Sequence, residues 1–456
     1  MRGFFEAGFE QDSSPASILS NPKACGMHSS RGMNGERAEW ENKHDMGLPA
    51  LRYVDAVPFQ HGNDTLICLS DPQGYIDEQL LLSPAAYFIA SLLDGENDEA
   101  AIKAVFREHF GADVVDDEAI HTVVSQLDQN GFLATPRFFE VKDSVDRAFA
   151  ESPTRPAYLA GRSYPEDPEE LRPFLAEPFD GEDGAGQAFR EESRGSQPLR
   201  GLIVPHIDFQ RGGAAYAKGY KRLFEQGKPD VALIFGVAHA APPTPIVLTK
   251  KHFETPLGTL QTDTAMVNAL AAACSWDPFA YESVHRTEHS IEFQALMLSY
   301  LFGEDIRIVP ILCGNFSAVG GQNGEGAAPE VERFLEACRE VTAQSEHAVT
   351  VIAGADLAHV GQRFGDSFEI DDTITLHVEQ RDREDLAHAV SGNAEGFYSS
   401  VMKDHNQRRV CGLNCIYATL KTLQGRAPAG DSELIHYNYA PDPAGGIVSF
   451  AGVVYP

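Results

Sequence analysis

Val231-Ala-Leu-Ile-Phe-Gly-Val-Ala-His239 is an apolar run of the length of a buried β-strand, and it ends on a histidine. Two further stretches have the same form, Gly201-Leu-Ile-Val-Pro-His206 and Val349-Thr-Val-Ile-Ala-Gly-Ala-Asp-Leu-Ala-His359. Runs that are apolar at almost every position are typical of parallel strands, which helices cover on both faces. The loops at the carboxyl ends of such strands converge on one crevice. We therefore expect the three histidines, together with Asp356, to share one site.

The length and composition indicate a globular protein of two domains. The 456 residues exceed the usual size of a single hydrophobic core, and the 43% hydrophobic and 23% charged residues are ordinary. A formal net charge of −31 disfavours nucleic acid and anionic membranes as partners. Solubility or adaptation to high salt explains this charge without a functional acidic surface. The sequence has seven scattered cysteines, no long apolar run and no signal-peptide pattern. We therefore expect reduced thiols and a cytoplasmic location.

Patterning divides the chain into four segments. Residues 1–45 are polar and glycine-rich and are predicted to be a flexible leader. Residues 46–142 are predicted to form a small α+β winged-helix-like domain, with three helices and a return strand at 131–134 that would form the wing. Residues 143–151 are predicted to be a linker. Residues 152–456 alternate strands with helices, which predicts an α/β domain with a mostly parallel central sheet.

The segment 46–142 resembles the PqqD-like domains that recognise peptides beside peptide-modifying enzymes. The resemblance is carried by three stretches, Leu82-Ser-Pro-Ala-Ala-Tyr-Phe-Ile-Ala-Ser-Leu-Leu-Asp-Gly95, Phe106-Arg-Glu-His-Phe-Gly111 and Val124-Ser-Gln-Leu-Asp-Gln-Asn-Gly-Phe-Leu133. A small helical cap on the second domain is the alternative. DNA binding is disfavoured because the third predicted helix contains no Lys or Arg.

Two motifs add polar side chains to the expected crevice. Thr287-Glu-His-Ser-Ile-Glu292 begins a predicted helix with His289 and Glu292 on one face, although a capped surface helix explains it equally well. Asp356 and His359 are spaced to reach one metal, or to let the carboxylate orient an imidazole that moves protons. A buried ion pair of Asp356 with Arg363 is the alternative.

Cys411 precedes Gly412 at the start of a predicted helix over 414–423, where the positive end of the helix would favour a thiolate. Cys415 follows one turn later, so both sulfurs could face the same way. Inert packing is the alternative, and it is the commoner role of buried cysteines.

Five linked motifs together resemble the MEMO family, whose bacterial members are called AmmeMemoRadiSam system protein B. The motifs are Pro205-His-Ile-Asp-Phe209, Gly236-Val-Ala-His239, Glu288-His-Ser-Ile-Glu292, Ala355-Asp-Leu-Ala-His-Val-Gly-Gln-Arg-Phe364 and Cys411-Gly412. The resemblance implies a fold like the catalytic subunit of the class III extradiol dioxygenases, which use non-haem iron(II).

The same resemblance implies roles for six residues. The implied metal ligands are His206, His239 and Cys411, and the implied catalytic residues of the same pocket are His359, His289 and Asp356. Two imidazoles and a thiolate form a soft ligand set, which suits copper or zinc and also accepts iron(II).

Our first functional hypothesis is a metal-dependent oxidoreductase that uses iron(II) or copper, with zinc as the third option. The family resemblance implies partnership with a radical-SAM enzyme and with AmmeMemoRadiSam system protein A, and a peptide or small molecule as substrate. The alternatives are a non-catalytic protein that binds a peptide or a phosphotyrosine-like ligand in the same pocket, and a protein that buffers or delivers metal.

Overall fold

The computed structural model describes residues 47–456 except 63, 112–114, 182–183, 187–193, 317–326, 426–430 and 443. The chain divides into two compact units, the first ending at Ala148 and the second covering Phe149–Pro456. The predicted leader lies outside the described residues.

The first unit consists of a small antiparallel sheet followed by helices. Its strands are β1 (Asp55–His61), β2 (Asp64–Ser70) and β3 (Leu80–Leu82), and its helices are α1 (Pro84–Ser91), α2 (Glu99–Phe110) and α3 (Asp117–Gln129). Strand β2 pairs with both of its neighbours. The helices begin where the sequence predicts, because the side chains of Ser83, Asp98 and Asp116 cap their first turns. One core joins sheet and helices, with Ile67, Phe88, Ile102, Ile120 and Leu127 at its centre.

The prediction of a strand at 131–134 is wrong. Within this stretch, Leu133 makes an isolated antiparallel bridge to Leu51, and the chain then enters helix α4 (Pro136–Glu151). Phe132 and Leu133 are both fully buried, whereas a strand with one solvent face would expose one of two consecutive side chains. The sheet of this unit therefore precedes the helices, and residues 131–134 add no wing after them. Helix α4 also contains the predicted linker 143–151.

The second unit is built on a sheet with a parallel centre. Its strands are β4 (Thr154–Arg155), β5 (Gly201–Val204), β6 (Val231–Val237), β7 (Ile246–Leu248), β8 (His252–Thr255), β9 (Gly258–Thr262), β10 (Arg307–Cys313), β11 (Val349–Gly354), β12 (His359–Val360), β13 (Glu433–Asp442) and β14 (Gly446–Tyr455). Strands β5, β11, β6 and β10 are parallel neighbours in that order. Antiparallel pairs of β14 with β5, and of β8 with β9, extend the sheet on its two sides. The predicted α/β fold with a mostly parallel central sheet is confirmed.

Helices cover both faces of this sheet. They are α5 (Pro168–Asp180), α6 (Phe209–Gln226), α7 (Thr264–Ala271), α8 (His289–Phe302), α9 (Pro329–Gln344), α10 (Asp372–Val390), α11 (Ala394–Met402) and α12 (Leu413–Leu423). Successive strand residues point to opposite faces. Phe235 accordingly packs in the core that contains α9 and α12, while the next residue, Gly236, faces α8. Among the described residues, no helix is both long enough and apolar enough to span a bilayer.

Candidate metal centre

The three apolar runs that end on histidine are the adjacent strands β5, β11 and β6. Because these strands are parallel, their carboxyl ends lie at the same edge of the sheet, and the residues that follow them meet there. The rings of His206 and His239 stand 5.0 Å apart between centroids.

His206, His239 and Cys411 form the ligand cluster. One ligand atom from each of the three lies within 4.8 Å of the other two. The closest described contact joins His206 Nε2 to Cys411 Sγ at 3.4 Å. Burial, and secondarily the negative charge of Asp356, raises the pKa of the Cys411 thiol, so a metal would have to displace its proton on binding.

The main chain of strand β11 fixes the ring of His206. Its Nδ1 lies 2.9 Å from the carbonyl oxygen of Gly354, which assigns the ring proton to Nδ1 and leaves Nε2 facing the cluster. Asp356 accepts from the His206 backbone N–H at 2.9 Å, and its other oxygen lies 3.6 Å from Nε2. Burial lowers the pKa of His206 although Asp356 opposes the shift, so the ring is neutral and able to bind a metal at pH 7.

A buried carboxylate holds His239. Both oxygens of Glu288 lie within hydrogen-bond distance of His239 Nδ1, at 3.0 and 3.1 Å, and Glu288 also accepts from the His239 backbone N–H at 3.0 Å. Burial alone would lower the pKa of His239, but Glu288 outweighs it and the pKa is raised. The ring is 39% exposed, so solvent weakens the effect of burial and the contact with Glu288 dominates. A carboxylate on Nδ1 is the usual support of a histidine that binds metal through Nε2.

Two glycines allow helix α8 to approach the ends of the strands. A Cβ atom on Gly236 of strand β6 would lie 2.5 Å from the Ser290 hydroxyl oxygen, and one on Gly354 of strand β11 would lie 2.4 Å from the Ser290 carbonyl oxygen. Neither contact is sterically tolerable, so only glycine permits this packing. The approach places Glu288 and His289, at the start of α8, beside His239.

His289 and His359 complete the surroundings of the cluster. The ring of His289 stacks on that of His239, with centroids 4.7 Å apart. His359 Nδ1 lies 3.1 Å from the carbonyl oxygen of Leu357, which leaves its Nε2 uncommitted to that bond. Burial lowers the pKa of both histidines, while Glu288 opposes the shift at His289 and Asp356 opposes it at His359. Both rings are therefore neutral proton acceptors at pH 7.

Cys411 follows a loop with an unusual backbone. Three of its residues have φ angles in the left-handed region, which residues other than glycine rarely adopt. They are His405 at 59°, Asn406 at 55° and Arg409 at 52°. Two ion pairs hold the loop. Arg409 binds both oxygens of Asp366, and Arg408 binds two buried aspartates.

Arg408, Asp382 and Asp385 form the Arg408 cluster. Nη1 of Arg408 binds Asp382 at 2.5 Å and Nη2 binds Asp385 at 2.6 Å, with all three side chains at most 5% exposed. Ser449 and Tyr437 donate hydroxyl hydrogen bonds to Asp382. The carbonyl of Arg408 accepts from the His359 backbone N–H at 2.7 Å, so this cluster connects the two loops that carry Cys411 and His359.

The structure brings together all six residues that the sequence singles out, but three details differ. Glu292 points away from the cluster to a buried ion pair with Arg155. Asp356 contacts His206 and the backbone N–H groups of residues 206 and 207, where a pair with Arg363 was the alternative. Cys415 is fully buried in the hydrophobic core, while Cys411 is partly exposed.

Sequence reasoning missed the supporting residues Glu288 and Arg155. In the sequence, Glu288 is only an acidic residue at the start of a predicted helix, where its charge is favourable. Arg155 is fully buried and donates to the carbonyl oxygens of His285 and Glu288, both at 2.9 Å, which fixes the turn before α8. The Glu-His pair at the start of a helix was a usable signal for Glu288, whereas nothing near Arg155 in the sequence marks its role.

The geometry of the ligand cluster fits a metal ion. Both histidines have Nδ1 engaged by a fixed acceptor, one ligand atom of each ring lies within 4.8 Å of the other, and the third atom is a sulfur. Three protein ligands with space for a further ligand are typical of catalytic rather than structural metal sites. His239, Glu288 and His289 form a second group within 4.8 Å, but Glu288 already binds His239 there as a hydrogen-bond acceptor.

Comparison with known proteins identifies the family of this chain. The family model described as Memo-like protein matches residues 155–454. The chain belongs to this family.

Several curated relatives are named MEMO1 family proteins. The one from Aquifex aeolicus is 27% identical over 409 residues, which cover 89% of this chain and 99% of the relative. The one from Methanopyrus kandleri is 28% identical over 301 residues, covering 65% of this chain and 97% of the relative. The alignment with the Aquifex protein is too long to fit within the second unit, so it includes part of the first unit as well.

Proposed function

We propose that this Memo-like protein is a metal-dependent oxidoreductase whose metal is held by His206, His239 and Cys411. The observation that carries the proposal is the convergence of one ligand atom from each of two imidazoles with one thiol sulfur, while both Nδ1 atoms are held by acceptors. A reduced iron or copper ion bound there would supply a centre for activating dioxygen or substrate, and zinc would supply only a Lewis acid.

The side chains around the cluster supply proton transfer and orientation. His359 is neutral and bonded through Nδ1, so its Nε2 is suited to accept a proton from a substrate hydroxyl and return it later. His289 is a second neutral imidazole, and its position against His239 makes it the alternative base. Asp356 orients His206 through the backbone and through its second oxygen, so its role is positioning.

Metal analysis of protein purified without oxygen tests the ligand assignment. Wild-type protein should contain about one ion per chain, and His206→Ala should contain almost none, since loss of one of three ligands opens the site. His347→Ala removes an exposed histidine and is the matched control, with unchanged metal content expected. A His206→Ala variant with undiminished metal would refute the assignment, and anomalous scattering from crystals grown without oxygen would identify the ion.

Oxygen uptake with catechols tests the activity separately. The metal-loaded wild type should consume oxygen, and His359→Gln should consume it more slowly while keeping its metal, because His359 is not among the proposed ligands. Stoichiometric metal with no turnover of any catechol would instead favour metal handling or ligand binding.

We also propose that the chain acts with a radical-SAM enzyme and AmmeMemoRadiSam system protein A, with the first unit recognising a peptide as PqqD-like domains do. The support is the family resemblance of both units. Co-purification of the full chain with each candidate partner, compared with a chain shortened to Phe149–Pro456, tests it. Equal recovery of partner by both chains would exclude a role for the first unit.

A further inference from the structure

A pocket of about 370 Å³ opens beside the ligand cluster and shares Cys411 with it. Helices α11 and α12 and the ends of β6 and β10 contribute to its wall, which includes Val237, Met402, Val410 and Leu413. Small-molecule sites usually have volumes of roughly 300–1,000 Å³, so this pocket suits a compound of a single ring.

The described wall of the pocket carries no charged side chain. Its polar groups include the amides of Asn406 and Asn414. Both ends of the Asn406 amide are bound to the backbone of Val410. Asn414 donates from Nδ2 to the Gly314 carbonyl oxygen at 2.7 Å, which leaves its amide oxygen as an acceptor for a ligand.

The charges near this pocket also disfavour an anion. The carboxylate of Asp356 lies 3.6 Å from His206, whose Nε2 is in turn 3.4 Å from the sulfur of Cys411. Two cations of the neighbouring loop, Arg408 and Arg409, are bound to aspartates, and a third, Lys403, is not among the described lining side chains. The start of α12 favours negative charge, and it adjoins Cys411, whose sulfur would use that field as a thiolate ligand.

We propose that the pocket binds an uncharged single-ring compound that donates a hydrogen bond to Asn414 and rests its ring on the apolar wall. This inference deepens the proposed function and rests on it only for the role of the compound as a substrate. In the metal-free chain, an anionic ligand such as a phosphorylated side chain would meet no cation among the described lining side chains, which is costly.

Calorimetric titration of the metal-free full chain tests the proposal with three probes of similar ring size, p-cresol, 4-hydroxybenzoate and phenyl phosphate. We expect p-cresol to bind at least about tenfold more tightly than either anion, because an unpaired carboxylate or phosphate loses its hydration in the pocket. Comparable or tighter binding of either anion, or no binding of p-cresol, would overturn the proposal.

Substitutions that add a cation give the sharper test. Ala241→Lys places an ammonium on the exposed rim of the pocket and should reduce the preference for p-cresol to about twofold or less. Met402→Lys places the charge deeper and should act in the same direction. Leu376→Lys, at an exposed position on α10 outside the described lining, is the control and should leave the preference unchanged.

The outcomes separate this proposal from the proposed function. If the preference for p-cresol is the same in both lysine variants as in the wild type, the pocket assignment is overturned, whatever the metal content. A preference that responds as expected, in a protein that binds no metal or consumes no oxygen, would uphold the pocket and contradict the oxidoreductase.

Discussion

The ligand cluster and the Arg408 cluster lie in the same unit and are both built from buried polar side chains, yet they satisfy those side chains in different ways. In the Arg408 cluster, each carboxylate is bound by its own guanidinium nitrogen. In the ligand cluster, three atoms that each favour a cation converge on one another. Ion pairing within the protein contributes to a unique fold, whereas ligand atoms that meet without a cation leave the capacity to bind a metal from outside.

The largest expected effect tests the stability side of this comparison. Arg408→Met leaves Asp382 and Asp385 buried without their cation, so the free energy of unfolding should fall by about 3–5 kcal/mol in urea titrations. Arg222→Met, which removes a surface pair with Glu433, should cost less than about 1 kcal/mol. Equal losses in the two variants would show that burial of the pair adds nothing.

A pH titration gives a second test of how the Arg408 cluster contributes to stability. Burial raises the pKa of Asp382 to about 6, against the opposing hydrogen bond from Ser449 and charge of Arg408. The folded state therefore holds this proton more strongly than the unfolded state, and the stability due to the protonated form is lost as the pH rises from about 4 to about 6. Asp382→Asn stays neutral, so across this interval the variant should gain up to about 3 kcal/mol relative to wild type. Unfolding measured at about pH 4 and about pH 7 checks this, and a pH-independent difference would contradict it.

The smallest expected effect tests metal binding by the ligand cluster. Glu288→Gln keeps the size of the side chain but removes the charge that supports His239, so metal affinity should fall by about 10- to 100-fold. Competition with a chelator measures the affinity, and Glu395→Gln on the surface of α11 is the control. An unchanged affinity would mean that the backbone alone orients His239, and a large loss of stability would mean that the two clusters are not separable.

The fold and the location of the site could be predicted from local signals. An uninterrupted apolar run predicts a strand covered on both faces. The polar residue that follows the run predicts which side chain lies at the edge of the sheet. The helix starts at Pro84, Glu99 and Asp117 could also be predicted, since each depends on a capping residue adjacent in sequence.

The remaining features depend on contacts between distant residues. Arg155 meets Glu292 across more than a hundred residues, and Arg408, in the loop before α12, meets Asp382 of helix α10, so neither pair leaves a spacing pattern. The strand expected at 131–134 failed for a related reason. Its pairing with a distant segment stops after one bridge, between Leu133 and Leu51, and tertiary packing buries both Phe132 and Leu133.

Gly236 and Gly354 have a consequence for how the site tolerates change. Each lies where the start of α8 touches a strand, so adding a single methyl group would push the helix outward and carry Glu288 and His289 with it. Two positions without any functional group are thus among the least replaceable in the molecule. Anyone transplanting this site into another scaffold would have to copy the spacing between helix and sheet before copying the histidines.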